Sequence, residues 1–420
     1  MTAGTSSDSG IGSWVEREIG LTEAGHRAHA ALGRLGLRAI LTEAPVGEPL
    51  SMWTCKLRTD ADEAVPYGSG SGKGSGEEAK VGALFEALEH HLTGPAAFEP
   101  QQVQWCSGGE LLDGPLEGDA CAPLLRHAER LACQQYTPLN GPARSPLPVP
   151  LIMSTSWYYD HPEVRQAVGD HTDYRQLARY GSNNGSAIGS SLAEALVHAL
   201  NECVERDALS LLLARAWPGA GTYRPRLIDT AALPPAFAAA HRQAEQLRGS
   251  AVHLIEITTD LGVPTYVACA EGTGSFEGRF GCGTSLSPRY AAWRALGEFV
   301  QCSSSPSKPF PEYLLDGLDR YPALRACATL NPASHLEQAR PVGLPAEAVP
   351  LPSPQEQLGQ LTARLSARGY QAYYRVTATA PEGITAVHVV VPALERFMVV
   401  TSGMVVIPGP RARAQITEAA

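Results

Sequence analysis

The sequence predicts an α/β protein, and two observations carry that expectation. Apolar, β-branched runs of strand length alternate along the chain with longer stretches of helical periodicity. One arrangement also occurs three times: a Gly/Ser-rich segment opens directly onto a helix whose charged residues share a face. With 420 residues, the chain could form one large domain or two or three average ones.

The elements follow in order. The Ser/Gly/Thr-rich start buries too little apolar surface to offset its ordering entropy, so residues 1–14 are expected as a disordered tail. Thr22–Leu37 reads as a helix, with Thr22 as a cap and Gly36 near its end. Arg38–Thr42 and Ser51–Arg58 are strand-like and separated by a Pro/Gly turn, and Asp60–Tyr67 is expected as a charged loop. Gly68–Gly76, GSGSGKGSG, reads as a glycine loop opening onto the helix Glu77–Leu92. Gln101–Asp170 says little, apart from the strand-like Pro148–Tyr159. In Gly181–Leu213 a Gly/Asn/Ser loop runs into the longest helical pattern. Pro234–Leu247 is an amphipathic helix, and Ala251–Ile257 and Thr265–Ala270 read as buried strands. Glu271–Gln301 is a Gly-rich strand and turn ending at Ser287-Pro288, a good helix start, followed by a helix. The loop Ser303–Pro309 and a Pro-rich connector lead to the helix Gln355–Arg368. Strand-like Ala372–Thr379, Thr385–Val391 and Met398–Thr401 follow, and residues 411–420 are expected as a C-terminal tail.

Composition excludes several functions. A net charge of −10 without any Lys/Arg cluster argues against nucleic-acid binding. No apolar run is long enough to span a bilayer, and the polar start does not read as a signal peptide, so a cytoplasmic protein is expected. Nine scattered cysteines without a Cys-x-x-Cys pair are neither a disulfide framework nor a zinc site. The lone His127, His161 and His171 suit surface or core roles better than ligation.

The chemistry gathers on three helices. In the central one Glu202, Glu205 and Arg206 stand at i, i+3 and i+4, so they share a face. His198 and the small Ala199 lie a turn earlier, and Glu194 stands about two turns before Glu202. Alone, this would be a solvated face with a Glu–Arg pair worth a few tenths of a kcal/mol. Recurrence weighs against that. Glu86 and Glu89 lie a turn apart beside Gly82 and Ala83, and Arg294, Glu298 and Gln301 share a face beside Ala295. The Gly68–Gly76 stretch fails the P-loop spacing, because Tyr67 stands where Gly is needed and Gly74 where Ser or Thr should follow Lys73. What remains is a lysine among glycines at a helix start, which suits anionic oxygens. The six acids, Glu86, Glu89, Glu194, Glu202, Glu205 and Glu298, cannot converge as bare anions. Mg²⁺ takes oxygen ligands and shares its shell with phosphates, leaving Lys73, Arg206 and Arg294 to face phosphoryl oxygens. The residues therefore describe a Mg²⁺–nucleotide site built from helices.

In order, Gly-Lys-Gly, Glu-x-x-Glu, Asn-Gly-x-x-x-Gly-x-x-x-x-Glu-Ala, Glu-x-x-Glu-Arg and Arg-x-x-x-Glu resemble the YcaO family of ATP-dependent peptide-backbone modifying enzymes. The likeness runs from about Ser51 to Pro410 and includes the tryptophan-bearing SMWTCKLR. It implies a single large α/β domain over residues 15–410, with mixed β-sheets and helices lining an ATP cleft. It assigns the six glutamates to Mg²⁺ and nucleotide, Lys73, Arg206 and Arg294 to phosphate, and Gln301 to the nucleotide site. Asn184, in the Asn-Asn-Gly loop, joins the nucleotide-binding set. Two positions depart from the pattern: Gly82 replaces a serine, whose nucleotide contact is then either missing or supplied by another group such as Ser71 or Ser75, and His90 stands where an arginine often follows. The Asn-Asn-Gly loop and the VIPGPR ending favour the microcin-type cyclodehydratases, which form thiazolines and oxazolines from Cys, Ser and Thr of a ribosomal precursor peptide in antibiotic biosynthesis. A separate peptide-binding partner and a flavin-dependent azoline dehydrogenase are implied as well. Thioamide or amidine formation, or a non-catalytic ATP-binding accessory role, are the alternatives.

Overall fold

A computed structural model describes residues 16–139, 145–221, 223–271, 280–304, 313–346 and 352–418. The expected tail 1–14, the Gly-rich stretch 272–279 and most of the Ser303–Pro309 loop lie outside the described residues. The longer helices are α1 (Leu21–Arg34), α2 (Gly76–Thr93), α3 (Leu192–Ala214), α4 (Pro235–Arg248), α5 (Pro288–Ser304), α6 (Pro354–Ala367) and α7 (Pro410–Glu418). The strands are β1 (Leu37–Glu43), β2 (Ser51–Thr59), β3 (Ala64–Gly74), β4 (Gln104–Cys106), β5 (Leu131–Pro138), β6 (Leu147–Pro150) and β7 (Ser186–Gly189). After them come β8 (Arg226–Ile228), β9 (Val252–Glu256), β10 (Thr265–Ala270), β11 (Phe280–Thr284), β12 (Arg340–Val342), β13 (Tyr373–Thr379) and β14 (Thr385–Val390).

The strands form three sheets: β1-β2-β3; β11-β10-β9-β8-β12; and β4-β5-β13-β14-β7, with β6 paired to β5. The β8–β12 pair is parallel and the rest are antiparallel, so the second sheet is mixed. One strand of each sheet leads directly into a long helix: β3 into α2, β7 into α3 and β11 into α5.

Glycine explains how tightly each strand and helix fit. In β3, Gly68, Gly70, Gly72 and Gly74 alternate on the buried side, while Ser69, Ser71 and Lys73 point the other way. A Cβ on Gly72 would stand 1.8 Å from the Ala79 carbonyl oxygen of α2. In β11 a Cβ on Gly283 would meet the Ala291 carbonyl oxygen at 2.2 Å, and on Gly189 of β7 the Ala195 nitrogen at 2.6 Å. The supposed glycine loop Gly68–Gly76 is therefore mostly strand. Its small residues admit the helix backbone, and helical alanines complete the contact.

Other expectations also change. Asp60–Tyr67 is only partly loop, since β3 begins at Ala64. Pro148–Tyr159 yields a short strand, then a helical turn at Leu151–Ser154 and a 3-10 turn at Ser156–Tyr158. Met398–Thr401 lies in a 3-10 helix. Residues 411–418 belong to α7 and are no tail: the Glu395 carboxylate accepts from Gly409 N and Ala412 N, at 3.0 and 2.9 Å, at the start of that helix. All nine cysteines are free. Among the described residues no helix is long and apolar enough to cross a membrane.

Candidate nucleotide site

The three strand–helix units point their charged faces into one cavity of about 680 Å³. Lys73, Glu86, Glu89, Glu202, Glu205, Arg206, Arg294, Glu298 and Gln301 all line it, although they come from one strand, β3, and three different helices. Each helix holds one glutamate against the strand or turn before it. Glu86 Oε2 accepts from Ser71 N at 3.1 Å, Glu202 Oε2 from Gly185 N at 3.3 Å, and Glu298 Oε2 from Cys282 N at 3.4 Å. In each helix the next polar residue follows three positions later, as Glu89, Glu205 or Gln301. Gly185 must be glycine: its φ is +91°, and a Cβ would sit 2.1 Å from the Val389 carbonyl oxygen.

Positive groups stand between the acids. Lys73 Nζ is 3.6 Å from Glu298 Oε2, and Arg206 reaches Glu202 at 3.6 Å and Glu205 at 3.8 Å. His90 Nε2 lies 3.9 Å from Glu86. The charge is not balanced locally. Burial, with Glu202 and Glu86 alongside, pushes the Glu89 carboxyl up to about 8. Burial also pushes Glu202 up to about 7 against the pull of Arg206, and it raises Glu205. Burial opposes the charge of Glu298 too, but Lys73, Arg206 and Arg294 outweigh it and hold that group below the usual carboxylate range.

Glu205 Oε2 is buried without a hydrogen-bond partner. Among the described residues no three acid, imidazole or thiol groups converge closely enough to form a metal site by themselves. Carboxylates that lack counter-charge, an orphaned carboxylate oxygen and nearby Lys73, Arg206 and Arg294 together fit a Mg²⁺–polyphosphate. The ligand would complete the cation's shell, as Mg²⁺ sites usually require.

Three sequence candidates do not line the cavity. Glu194 is buried to 1% exposure, and its oxygens accept from Ser190 Oγ at 2.5 Å, Glu18 N at 3.1 Å and Arg17 Nη1 at 3.3 Å. It holds Arg17, which does line the cavity, in place. Ser71 contributes its backbone N–H to Glu86, while Asn183 rather than Asn184 faces the cavity. The sequence reading missed Arg17 and Glu16. Glu16 is 1% exposed, accepts from Ser285 Oγ and from Asn201 Nδ2 at 3.4 Å, and lies 4.0 Å from Arg294 and 3.9 Å from His198. It stands at the start of the described chain, with no periodic pattern around it to mark it. Burial, Arg294 and Arg17 hold the His198 ring down to about 3, so it is neutral there.

A family model described as YcaO cyclodehydratase, ATP- and Mg²⁺-binding, matches residues 71–395. An uncharacterized protein of Methanothermobacter thermautotrophicus is 28% identical over 250 residues, 58% of each chain. An uncharacterized protein in the tfuA 3′ region of Rhizobium leguminosarum bv. trifolii is 27% identical over 54% of this chain. The matches span only 58% and 55% of those relatives' lengths. Among solved structures, the YcaO of Methanopyrus kandleri bound with AMPPCP and Mg²⁺ superposes with a TM-score of 0.64 at 21% identity, covering 93% of this chain and 95% of that one. A heterocyclase in complex with substrate and cofactor gives 0.59 at 16% identity, covering 91% of this chain and 54% of its own. The Escherichia coli microcin synthetase McbBCD complex with pro-MccB17 bound gives 0.51 at 13% identity, over 85% and 88%. These likenesses show the fold. With the family match covering most of its length and the glutamate-lined cavity inside the matched region, the chain belongs to the YcaO cyclodehydratase family, an ATP- and Mg²⁺-binding family.

Proposed function

We propose that the protein is an ATP- and Mg²⁺-dependent cyclodehydratase subunit that activates backbone amides of a ribosomally made precursor peptide. A Cys, Ser or Thr side chain of the peptide adds through its S–H or O–H to the preceding amide carbon. ATP would supply the phosphoryl group that makes the amide-derived oxygen a leaving group. Phosphate departs with that oxygen, the ring nitrogen gives up its proton, and a thiazoline or oxazoline remains. The observation that carries this reading is the convergence of three helices' glutamates, with Lys73, Arg206 and Arg294, on one cavity. In this assignment Glu86, Glu89, Glu202, Glu205 and Glu298 hold Mg²⁺, and Lys73, Arg206, Arg294 and Gln301 hold the nucleotide. Glu194 positions Arg17 instead of binding metal. A separate peptide-binding partner and a flavin-dependent dehydrogenase would deliver the precursor and oxidise its azolines. The heterocyclase and microcin-synthetase likenesses support this direction within the family.

The test uses Glu202→Gln with a Cys/Ser/Thr-rich precursor peptide and its partner protein. The change is nearly isosteric and removes one anion, so the fold should survive while Mg²⁺-dependent phosphate release falls by at least about a hundredfold. Loss of one water per ring by mass spectrometry would identify azolines, whereas oxygen-to-sulfur exchange would point to thioamides. Phosphate release by Glu202→Gln close to that of wild type would overturn the metal assignment.

A further inference from the structure

A second cavity, of about 210 Å³, adjoins the nucleotide site and shares Glu89, His90, Asn183 and Ser186 with it. Its floor is one face of the third sheet. Arg375 of β13 pairs with His388 of β14, which pairs with Ser186 of β7, so three polar side chains stand in a cross-strand row. Gln134 of β5 and Thr377 of β13 also line the cavity.

This floor is buried and polar, and much of it is unsatisfied. Gln134 is 2% exposed and His388 1% exposed. Gln134 Oε1, Arg375 Nε, Thr377 Oγ1 and His388 Nε2 are all buried without a hydrogen-bond partner, while His388 Nδ1 lies 3.0 Å from the Tyr136 hydroxyl. A buried polar atom left unpaired costs free energy, and four lining one small cavity point to a ligand that completes them. The opposite wall is aromatic and braced. Trp157 donates to Thr93 O at 2.8 Å and packs edge-on to Phe98, and the Tyr67 hydroxyl lies 2.7 Å from His161 Nε2. Tyr67 holds a φ of +57°, an unusual strain for a bulky residue and one that collects at ligand sites.

We propose that this cavity is the acceptor site, where an extended segment of the substrate peptide presents its amide to the nucleotide. The inference rests on the peptide-activating reading above and names the residues that hold the acceptor. The unmet groups include an acceptor suited to a peptide N–H (Gln134 Oε1), a donor suited to a carbonyl (Arg375 Nε) and a hydroxyl able to serve either. An uncharged amide backbone has that mixture, and an anion does not. The aromatic wall covers apolar side chains, and the shared Glu89, His90, Asn183 and Ser186 lead from one cavity into the other. Glu89, His90 and Asn183 therefore stand between acceptor and nucleotide.

The test titrates trifluoroacetyl-Gly-Cys-Gly amide, followed by ¹⁹F NMR, into wild type, Thr377→Val and Gln134→Leu, each with a non-hydrolysable ATP analogue and Mg²⁺. The probe should bind wild type, and each variant should weaken it about three- to tenfold, the loss of one hydrogen bond. Without probe, Thr377→Val should melt no lower than wild type, because it deletes a hydroxyl that has no partner. Absent probe binding to wild type, equal affinity in all three proteins, or a clearly lower melting temperature for Thr377→Val would each overturn the acceptor site. Failure of wild type to bind the ATP analogue would instead overturn the underlying functional reading.

Discussion

Lys73 reaches the nucleotide cavity from a strand and not from a flexible loop, which changes what its removal should do. In the free protein it stands 3.6 Å from Glu298 and is about one-third exposed, so the pair itself adds little stability. A phosphate would add a charge-assisted hydrogen bond worth roughly 1.5–3 kcal/mol, or about ten- to a hundredfold in affinity. Lys73→Ala should weaken ATP binding by that factor and leave the fold intact. Parallel titration with ADP separates two positions: a larger loss for ATP places Lys73 at the terminal phosphate, and equal losses place it further in. Unchanged affinity for both nucleotides would remove Lys73 from the site. His388 allows a second test at this scale. Burial, with Arg375 and Arg396 nearby, holds its ring down to about 3, against 6.5 when exposed. Below pH 6.5 the unfolded chain takes up a proton that the folded one refuses, so this group removes stability as pH falls toward 3. Its slope is about 1.4 kcal/mol per pH unit, and above pH 6.5 it contributes none. Wild type minus His388→Gln isolates that term from the other buried groups. The stability difference should shift against wild type by about 1.4 kcal/mol per unit between pH 6 and 4, as urea unfolding would read it. A difference that stays flat with pH would mean the ring is already charged or solvated in the fold.

At the scale of elements, the sequence made the three helices legible and hid two of the strands before them, β3 and β7, while the strand before α5 was expected. Glu202, Glu205 and Arg206 lie on one turn-spaced face that spacing alone reveals, as do Arg294, Glu298 and Gln301. The strand β3 was hidden because Gly and Ser are depleted in strands and enriched in loops, so GSGSGKGSG reads as a loop by composition. Its period-two alternation is the missed signal, since every second residue from Gly68 to Gly74 is a glycine on the buried side, with Gly70 and Gly72 against the α2 backbone. Apolar Pro148–Tyr159 and Met398–Thr401 misled for another reason: short apolar runs do not tell strand from helical turn. Glu16 and Arg17 carry no pattern, and only long-range packing brings Arg17 to the cavity and Glu16 beside Arg294 and His198. The glycine geometry gives a paired prediction. Gly72→Ala places a methyl 1.8 Å from the Ala79 carbonyl oxygen, so β3 and α2 must separate. Overpacking of this kind costs about 1–3 kcal/mol or more. Gly33→Ala, on the exposed side of α1 with nothing within 4 Å of its Cβ, should gain about 0.5–1 kcal/mol. Urea midpoints should move in opposite directions. If Gly72→Ala is as stable as wild type, the close strand–helix contact is not what requires glycine there.

Across the whole molecule, α7 returns to brace the central helix next to the site. Asp207 follows Arg206 directly and is fully buried. Arg411 grips it with two bonds of 2.9 Å, reaches Asp260 at 2.7 Å and donates to the Tyr370 hydroxyl at 2.7 Å. Asp207 also accepts from Glu395 N at 2.9 Å, and the Glu395 carboxylate caps the start of α7. Burial raises the Asp207 carboxyl even against Arg411, so its charge depends on that partner. Removing the partner alone should therefore cost far more than an exposed pair would. Arg411→Ala leaves an uncompensated buried carboxylate and should destabilise the protein by about 3–5 kcal/mol. Arg411→Leu combined with Asp207→Leu removes both charges and should recover a large part of that loss, since buried pairs add little net stability over apolar packing. The recovery would be incomplete, because Glu395 N loses its acceptor. Urea unfolding of wild type, each single variant and the double variant measures the coupling. A loss within about 0.5 kcal/mol for Arg411→Ala would reduce the clamp to a surface ion pair. A full loss without recovery in the double variant would mean that the bonds to Asp260, Tyr370 and Glu395, and not the buried charge pair, fasten α7 to the central helix.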